Sequence, residues 1–256
     1  MILIPMAGLS HRFTAAGYDR PKYMLEAHGE SLFRHAVRSF AHYFDTLPFL
    51  FVVRDVAGTP AFVDSECRAL GVRDARVVVL DAPTRGQAET VALGLRASGA
   101  GDNGGGDNGG GDGGDGPVTV FNIDTFRAGF RFPTGFDVTA TDGFLEVFEG
   151  DGANWSYVRP VAPGSDRVAE TAEKRPISDL CCTGLYHFRS AARYLAAFDA
   201  EAALPPGRLQ GGELYVAPLY NRLIADGADI RCSLIRRDAV IFCGVPEEYR
   251  AFLNAR

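Results

Sequence analysis

Four short apolar runs, Ile2 to Pro5, Phe49 to Val53, Arg76 to Leu80 and Pro117 to Ile123, alternate with stretches of helical period in the first half of the chain. Ser31 can cap a helix running from Leu32 to about Phe44, with Leu32, Phe33, Ala36, Val37, Phe40 and Phe44 on one broad face. Pro60 to Leu70 and Gly86 to Ala97 have the same character. Strands apolar on both sides need cover on both sides, and strands joined through helices run parallel. The alternation therefore predicts an α/β fold, a three-layer sandwich around a mostly parallel, Rossmann-like sheet. In the second half, strand-like stretches at 144–148, 155–161, 167–173 and 183–189 follow one another, which predicts a small antiparallel annex. Helical patterns at 190–200 and 212–226, strands near 230–235 and 239–243, and a last helix from Pro246 complete the chain. All 256 residues read as a single domain.

One segment stands apart. Residues 101–116 contain ten Gly, four Asp and two Asn, a composition that can bury nothing and reads as a flexible insertion. Taking its four aspartates from the formal net charge of −6 leaves −2, so the body is near neutral and offers no basic surface for nucleic acid. Gly99 to Gly104 matches G-x-G-x-x-G, but it trails a helix instead of opening one, so no dinucleotide site is expected there. No apolar run approaches the roughly 20 residues of a membrane span. The opening residues carry no basic n-region, which implies a cytoplasmic protein. The five cysteines include no C-x-x-C pair and most sit in apolar, strand-like surroundings, so they read as reduced, buried thiols. His28, His35 and His42 recur every seven residues without an acid or cysteine at ligand spacing, and read as helix surface.

Four elements carry chemistry. The first strand runs into Met6-Ala7-Gly8-Leu9-Ser10-His11-Arg12, followed by Arg20-Pro21-Lys22. A strand entering a small-residue turn presents consecutive backbone N–H groups, and Arg12 and Lys22 add two cations, as a triphosphate requires. Gln87 opens a helix after the third strand, and its amide can meet a nucleobase edge. The fourth strand ends in Asn122-Ile123-Asp124, a carboxylate where open α/β sheets bind ligands and a natural Mg²⁺ ligand. Glu173-Lys174 closes a later strand and could bind a sugar hydroxyl and a phosphate. Taken singly, these are equally well a plain turn, a helix cap, an N-cap and a solvated charge run.

Together, in this order, they resemble the sugar nucleotidyltransferases of the GT-A-like fold, the group of glucose-1-phosphate thymidylyltransferases and phosphocholine cytidylyltransferases. The family signature G-x-G-[ST]-R…P-K is matched by Gly8, His11, Arg12, Pro21 and Lys22, with the base-reading glutamine at Gln87. Its metal aspartate corresponds to Asp124 and its E-K pair to Glu173 and Lys174. Thr183-Gly184-Leu185-Tyr186 is similar to its sugar-pocket strand, and Gly212-Glu213-Leu214 through Asn221 to a family helix. The resemblance implies attack by a phosphorylated acceptor, a sugar 1-phosphate or similar small phosphate, on the α-phosphate of a nucleoside triphosphate, releasing pyrophosphate. It implies Mg²⁺ as cofactor, held by Asp124. Nucleotide contacts fall to Ala7, Gly8, Leu9, Ser10, His11, Gln87 and Asn122, with Arg12, Lys22 and Asp124 as the catalytic set. Acceptor contacts fall to Glu173, Lys174, Gly184 and Trp155, with Ser156 beside them. Neither nucleic acid nor a membrane is implied as partner, and a homo-oligomer is left open.

Two departures stand out. Ser10 replaces the second glycine of the signature. The family also places a second metal-binding aspartate just before a Gly-Thr-Pro-like turn. Here the turn reads Phe242-Cys243-Gly244-Val245-Pro246, with Phe242 at the acid position and Asp238 four residues earlier. The missing acid keeps an alternative open, a non-catalytic nucleotide or nucleotide-sugar sensor on the same fold. A glycosyltransferase would carry Asp-x-Asp where this chain has Asn122-Ile123-Asp124.

Overall fold

The structure, a computed structural model, describes residues 1–101 and 114–255. The glycine-aspartate insertion therefore lies, for residues 102–113, outside the described residues, as does half of the Gly99–Gly104 match. The N-terminal elements are β1 (Ile2–Pro5), α1 (His11–Ala15), β2 (Glu26–Ala27), β3 (Glu30–Ser31), α2 (Leu32–Val37), β4 (Phe49–Arg54), α3 (Thr59–Leu70), β5 (Ala75–Leu80) and α4 (Gln87–Ala97). Strands dominate next, with β6 (Val118–Phe121), β7 (Thr125–Phe126), β8 (Gly143–Glu149), β9 (Ser156–Pro160), β10 (Val168–Glu173) and β11 (Leu180–Phe188). The chain closes with α5 (Ala191–Ala202), α6 (Leu219–Ala225), β12 (Ile230–Ile235), β13 (Ile241–Phe242) and α7 (Pro246–Asn254). No helix among the described residues is long and apolar enough to cross a membrane.

The chain groups into two compact units. The first comprises Ile2–Pro83, Phe121–Arg131 and the chain from Asp238 onward. In it β4 pairs in parallel with β1 on one side and β5 on the other, as the apolar runs predict. Ile2 to Ile4 and Phe49 to Val53 are buried. Gly58 and Gly71, both left-handed, bracket α3, which packs on β4 and β5. The helix expected from Leu32 to Phe44 is α-helical only to Val37, then tightens to 3₁₀ over 38–43, with Phe40 at φ −102°. That tightening seats Phe40 edge-to-face on Phe121 and beside Phe130, and brings Ser39 to accept the Phe130 and Arg127 N–H groups. Each phenylalanine so buried contributes about 1.5–3 kcal/mol, which outweighs the poorer 3₁₀ hydrogen bonds. His35 is likewise not plain helix surface. Its Nε2 meets the Ala27 carbonyl at 2.9 Å, and its ring packs against Phe126 and Phe252.

The second unit comprises Met1, Thr84–Val120 and Phe132–Arg237. Its strands run in the order β10-β9-β11-β6, and β8 pairs antiparallel with β11 and parallel with β12. The antiparallel succession expected of the second half is present. Tyr194 of α5 and Tyr220 of α6 are fully buried and donate to the Ala88 and His187 carbonyls at 2.9 and 2.8 Å. A helix over 212–226 is not formed. Gly211 and Gly212 are left-handed, Glu213 is extended, and Pro218 is the N-cap of the short α6. Two glycines and a proline break the pattern that the apolar spacing suggested. All five cysteines are free and buried, and burial pushes the thiols of Cys67 and Cys243 up to about 12.

Candidate nucleotidyl-transfer site

In the first unit, β1 delivers Met6 and Ala7, both buried, into an exposed turn at Gly8 and Leu9. The Met6 N–H bonds the Val52 carbonyl at 2.7 Å, which ties the start of the loop to β4. Ser10 then takes a left-handed conformation (φ 51°, ψ 31°) and opens the short α1, which carries His11 and Arg12 on its exposed side. The position where the family signature has glycine is thus one where this chain holds a positive φ. The strain, about 1–2 kcal/mol for a residue with a Cβ, is concentrated in the candidate phosphate loop. The Lys22 N–H lies 3.5 Å from the Ser10 hydroxyl, a weak tie between the two halves of the signature.

Lys22 and Asp124, 102 positions apart in sequence, are in contact: Nζ lies 2.5 Å from Oδ2. The Asp124 carbonyl accepts from the Cys243 N–H at 2.8 Å, and Phe242 is paired with Thr125 across β13 and β7. The turn where the family has its second acid therefore does lie beside Asp124, but Phe242 is only 9% exposed there. A Cβ on Gly244 would stand 3.1 Å from Asp124 Oδ2 and 3.6 Å from Glu248 Oε2, so glycine keeps the space against the carboxylate open. Glu248, which sequence reasoning passed over, receives the Gly244 and Val245 N–H groups at 2.8 and 3.2 Å and caps α7. Asp238 stands exposed in a 3₁₀ turn. No group of three or more His, Cys, Asp or Glu among the described residues could hold a metal ion. The donor set at Asp124 suits a cation that takes one carboxylate and completes its shell with substrate oxygens, as Mg²⁺ does in phosphate chemistry.

In the second unit, Gln87 is the first residue of α4, as its position after β5 predicts. The loop before it is fastened to the 212–214 stretch: the Ala88 N–H bonds the Leu214 carbonyl at 2.8 Å and the Leu214 N–H bonds the Arg85 carbonyl at 3.1 Å. Gly86 permits that approach, at φ 150°, because a Cβ would fall 2.5 Å from the Leu214 oxygen. Glu173 ends β10 opposite Ser156, whose hydroxyl donates to its carboxylate, and Tyr186 OH lies 3.4 Å from the same hydroxyl. Burial raises the Glu173 carboxyl above its usual range despite the bond from Ser156. Lys174 follows at φ 53°, its N–H on the Trp155 carbonyl at 2.9 Å and its ammonium bonded to Tyr215 OH, 4.6 Å over that ring. Trp155 donates from its indole to the Asp151 carbonyl at 3.1 Å. Gly184, at φ 95°, lies in the irregularity between Cys182 and Tyr186 of β11. Glu173, Lys174, Trp155 and Ser156 thus gather as one network, joined by Tyr186 of the expected sugar-pocket strand and by Tyr215 and Gln210, neither of which the sequence marked as an acceptor contact. Gln210 Oε1 accepts from the Glu173 N–H at 2.9 Å.

A nucleoside-diphosphate-sugar pyrophosphorylase from Vibrio cholerae RC9 matches over 100% of both chains, with 52% identity and a TM-score of 0.90. An inositol-1-phosphate CTP transferase from T. maritima matches at 14% identity and TM-score 0.71, over 98% of this chain and 92% of that one. A UTP-bound UGPase from Acinetobacter baumannii matches at 14% and 0.68, over 98% and 91%. The last two show likeness of fold alone. No protein-family model matches the chain, and no match was found among curated proteins.

Proposed function

The chain belongs to the sugar nucleotidyltransferase family, and from that premise we propose that it is a Mg²⁺-dependent cytoplasmic enzyme joining a nucleoside triphosphate to a sugar 1-phosphate or a similar small phosphate. The observation that carries this reading is the full-length likeness at 52% identity to a nucleoside-diphosphate-sugar pyrophosphorylase. The apposition of Lys22 and Asp124 supports it from the site. An oxygen of the acceptor phosphate bonds to the α-phosphorus, the bond from that phosphorus to the β-bridging oxygen breaks, and pyrophosphate departs with the electron pair. Such a transfer asks for positioning and neutralisation of charge more than for proton transfer.

The Gly8 to His11 backbone and Arg12 hold the β- and γ-phosphates. Lys22 meets the charge that gathers at the α-phosphate, with Gln87 and Asn122 on the nucleoside. Glu173, Lys174, Trp155 and Gly184 take the acceptor, Lys174 through its phosphate. Mg²⁺, when bound, neutralises phosphate oxygens and draws charge from the leaving group. Asp124, the carboxylate that Lys22 pairs with here, would hold it. The test is pyrophosphate release with each of the common nucleoside triphosphates over a panel of phosphorylated acceptors. Turnover with one pairing is the expected result, and none with any pairing sinks the reading. The burial of Phe242 at the family's second acid favours the sensor as a second reading, which predicts nucleotide binding and no pyrophosphate.

A further inference from the structure

We propose that Arg54, with Arg20 beside it, binds the terminal phosphates of the nucleoside triphosphate and the pyrophosphate they become; this rests on the nucleotidyltransferase reading. Arg54 is the last residue of β4, after five buried apolar residues, Phe49 to Val53. Its Nε is fully enclosed and has no hydrogen-bond partner among the described residues. A buried guanidinium N–H is costly to leave unpaired, so such a group in a folded protein calls for an explanation.

Nε itself is sealed off from solvent, so what a ligand could meet is the rest of the guanidinium, and the place of Arg54 in the fold points to one. Arg54 lines a cleft of about 190 Å³ whose wall is the Met6 to Ser10 loop, and Arg20 lines the same cleft. In a parallel sheet, ligands bind beyond the carboxyl ends of the strands. The carboxyl ends of β1 and β4 are neighbours here, so Arg54 and the loop share one edge. A planar guanidinium suits phosphate oxygens in pairs, where an ammonium offers only a point charge. Asp19 also lines the cleft, but forms no ion pair with either arginine among the described residues. Two arginines that form no ion pair with a protein carboxylate among the described residues thus line the cleft, against the Met6 to Ser10 loop. That is the chemistry of an inorganic diphosphate or the end of a triphosphate.

The experiment is calorimetric titration of the whole protein with pyrophosphate, with the preferred nucleoside triphosphate and with its monophosphate. The parent is compared with Arg54→Gln, Arg54→Lys and Arg20→Gln, each checked for an unchanged melting temperature. Arg54→Gln should weaken pyrophosphate and triphosphate binding at least tenfold and monophosphate binding less than twofold. Arg54→Lys should recover only part of the loss, and the exposed Arg20→Gln should lose less than Arg54→Gln. Unchanged pyrophosphate affinity in Arg54→Gln overturns the proposal, as does an equal loss for the monophosphate. If Arg54→Gln does not fold, Arg20→Gln decides on the same criterion. A parent protein that releases pyrophosphate with an acceptor while Arg54→Gln binds normally leaves the enzyme reading standing and this proposal refuted. A parent that binds neither nucleotide nor pyrophosphate refutes both.

Discussion

The two halves of the candidate chemistry are built on opposite plans. Around the Met6 to Ser10 loop, three guanidinium groups, Arg12, Arg20 and Arg54, form no ion pair among the described residues, and the one charge pair is Lys22 with Asp124. In the Glu173 region the polar groups satisfy one another: Ser156 on Glu173, Tyr186 against Ser156, Lys174 on Tyr215, and the Glu173 N–H on Gln210. A ligand carrying several negative charges can supply the partners that the first region lacks. The uncharged hydroxyl-bearing part of an acceptor cannot, and is better met by a network already held in place, which leaves Lys174 to take the single phosphate. The contrast teaches where each region takes its order from: the bound ligand in the first, the protein in the second.

The comparison breaks most visibly at Asp124. Asp124→Asn should reduce turnover at least about 100-fold, roughly 2.7 kcal/mol, because an amide lacks the anionic oxygen that Mg²⁺ requires. The melting temperature should move little, since asparagine keeps the shape and a carbonyl oxygen that can still accept from Lys22 Nζ. Pyrophosphate release and a melting curve on the same sample check both halves. Near-normal turnover would remove Asp124 from the site.

Gly86 probes the second region through its backbone. A Cβ there meets the Leu214 main chain at 2.5–2.9 Å in a conformation disfavoured for any side chain. Gly86→Ala should cost about 2 kcal/mol or more, equivalent to about 4–8 °C in melting temperature. The Michaelis constant for the nucleotide should rise with it if Gln87 is displaced. A variant that melts with the parent would show that the loop can leave Leu214 freely.

Glu173→Gln separates binding from stability. The variant keeps the shape but loses an anionic acceptor, so the Michaelis constant for the acceptor should rise about tenfold. Stability should move the other way. Burial raises the folded-state pKa of Glu173, so the native protein binds more protons than the unfolded chain in that window, and its stability falls as pH rises through it. Below about pH 4 parent and variant should melt together, and above the window the variant should melt slightly higher. Melting curves from pH 4 to pH 8 measure the difference. A gap that shrinks with rising pH contradicts the assignment.

Much of this was legible in the chain because the relevant signals are local. The strands β1, β4 and β5, the turn after β1, Asp124 in the turn that follows β6 and Glu173 at the end of β10 each follow from short apolar runs and what terminates them. The contact of Lys22 with Asp124 follows once motifs are assumed to gather at the carboxyl ends of strands. Arg54 was not legible: one arginine ending an apolar strand looks like a surface stop, and its meaning depends on β4 lying beside β1. The 3₁₀ turn at Phe40 was hidden for a related reason. Tertiary burial among Phe121 and Phe130 decided it, and periodicity carries no record of that. Tyr215 and Gln210 sit in a stretch whose helical spacing is broken by glycines, so their approach to Lys174 and Glu173 had no sequence signal.

The smallest effect is expected at Ser10, and it sharpens the contrast most finely. Ser10 holds φ 51° in the phosphate loop, where the family signature has glycine. Ser10→Gly removes a conformational cost of about 1–2 kcal/mol in the folded state. Against it stand the greater freedom that glycine gives the unfolded chain, about 0.4–1 kcal/mol, and the weak 3.5 Å contact from the Lys22 N–H. The net change should be within about 1 kcal/mol, most of it stabilising. If the loop takes its order from the triphosphate, that change should be seen in the free protein and nearly vanish when saturating nucleotide is added, because the ligand then fixes the backbone in both variants. Melting curves of parent and Ser10→Gly, with and without nucleotide, decide it. A loss of several degrees in the free protein would mean that the serine hydroxyl, and not the ligand, holds the loop in place.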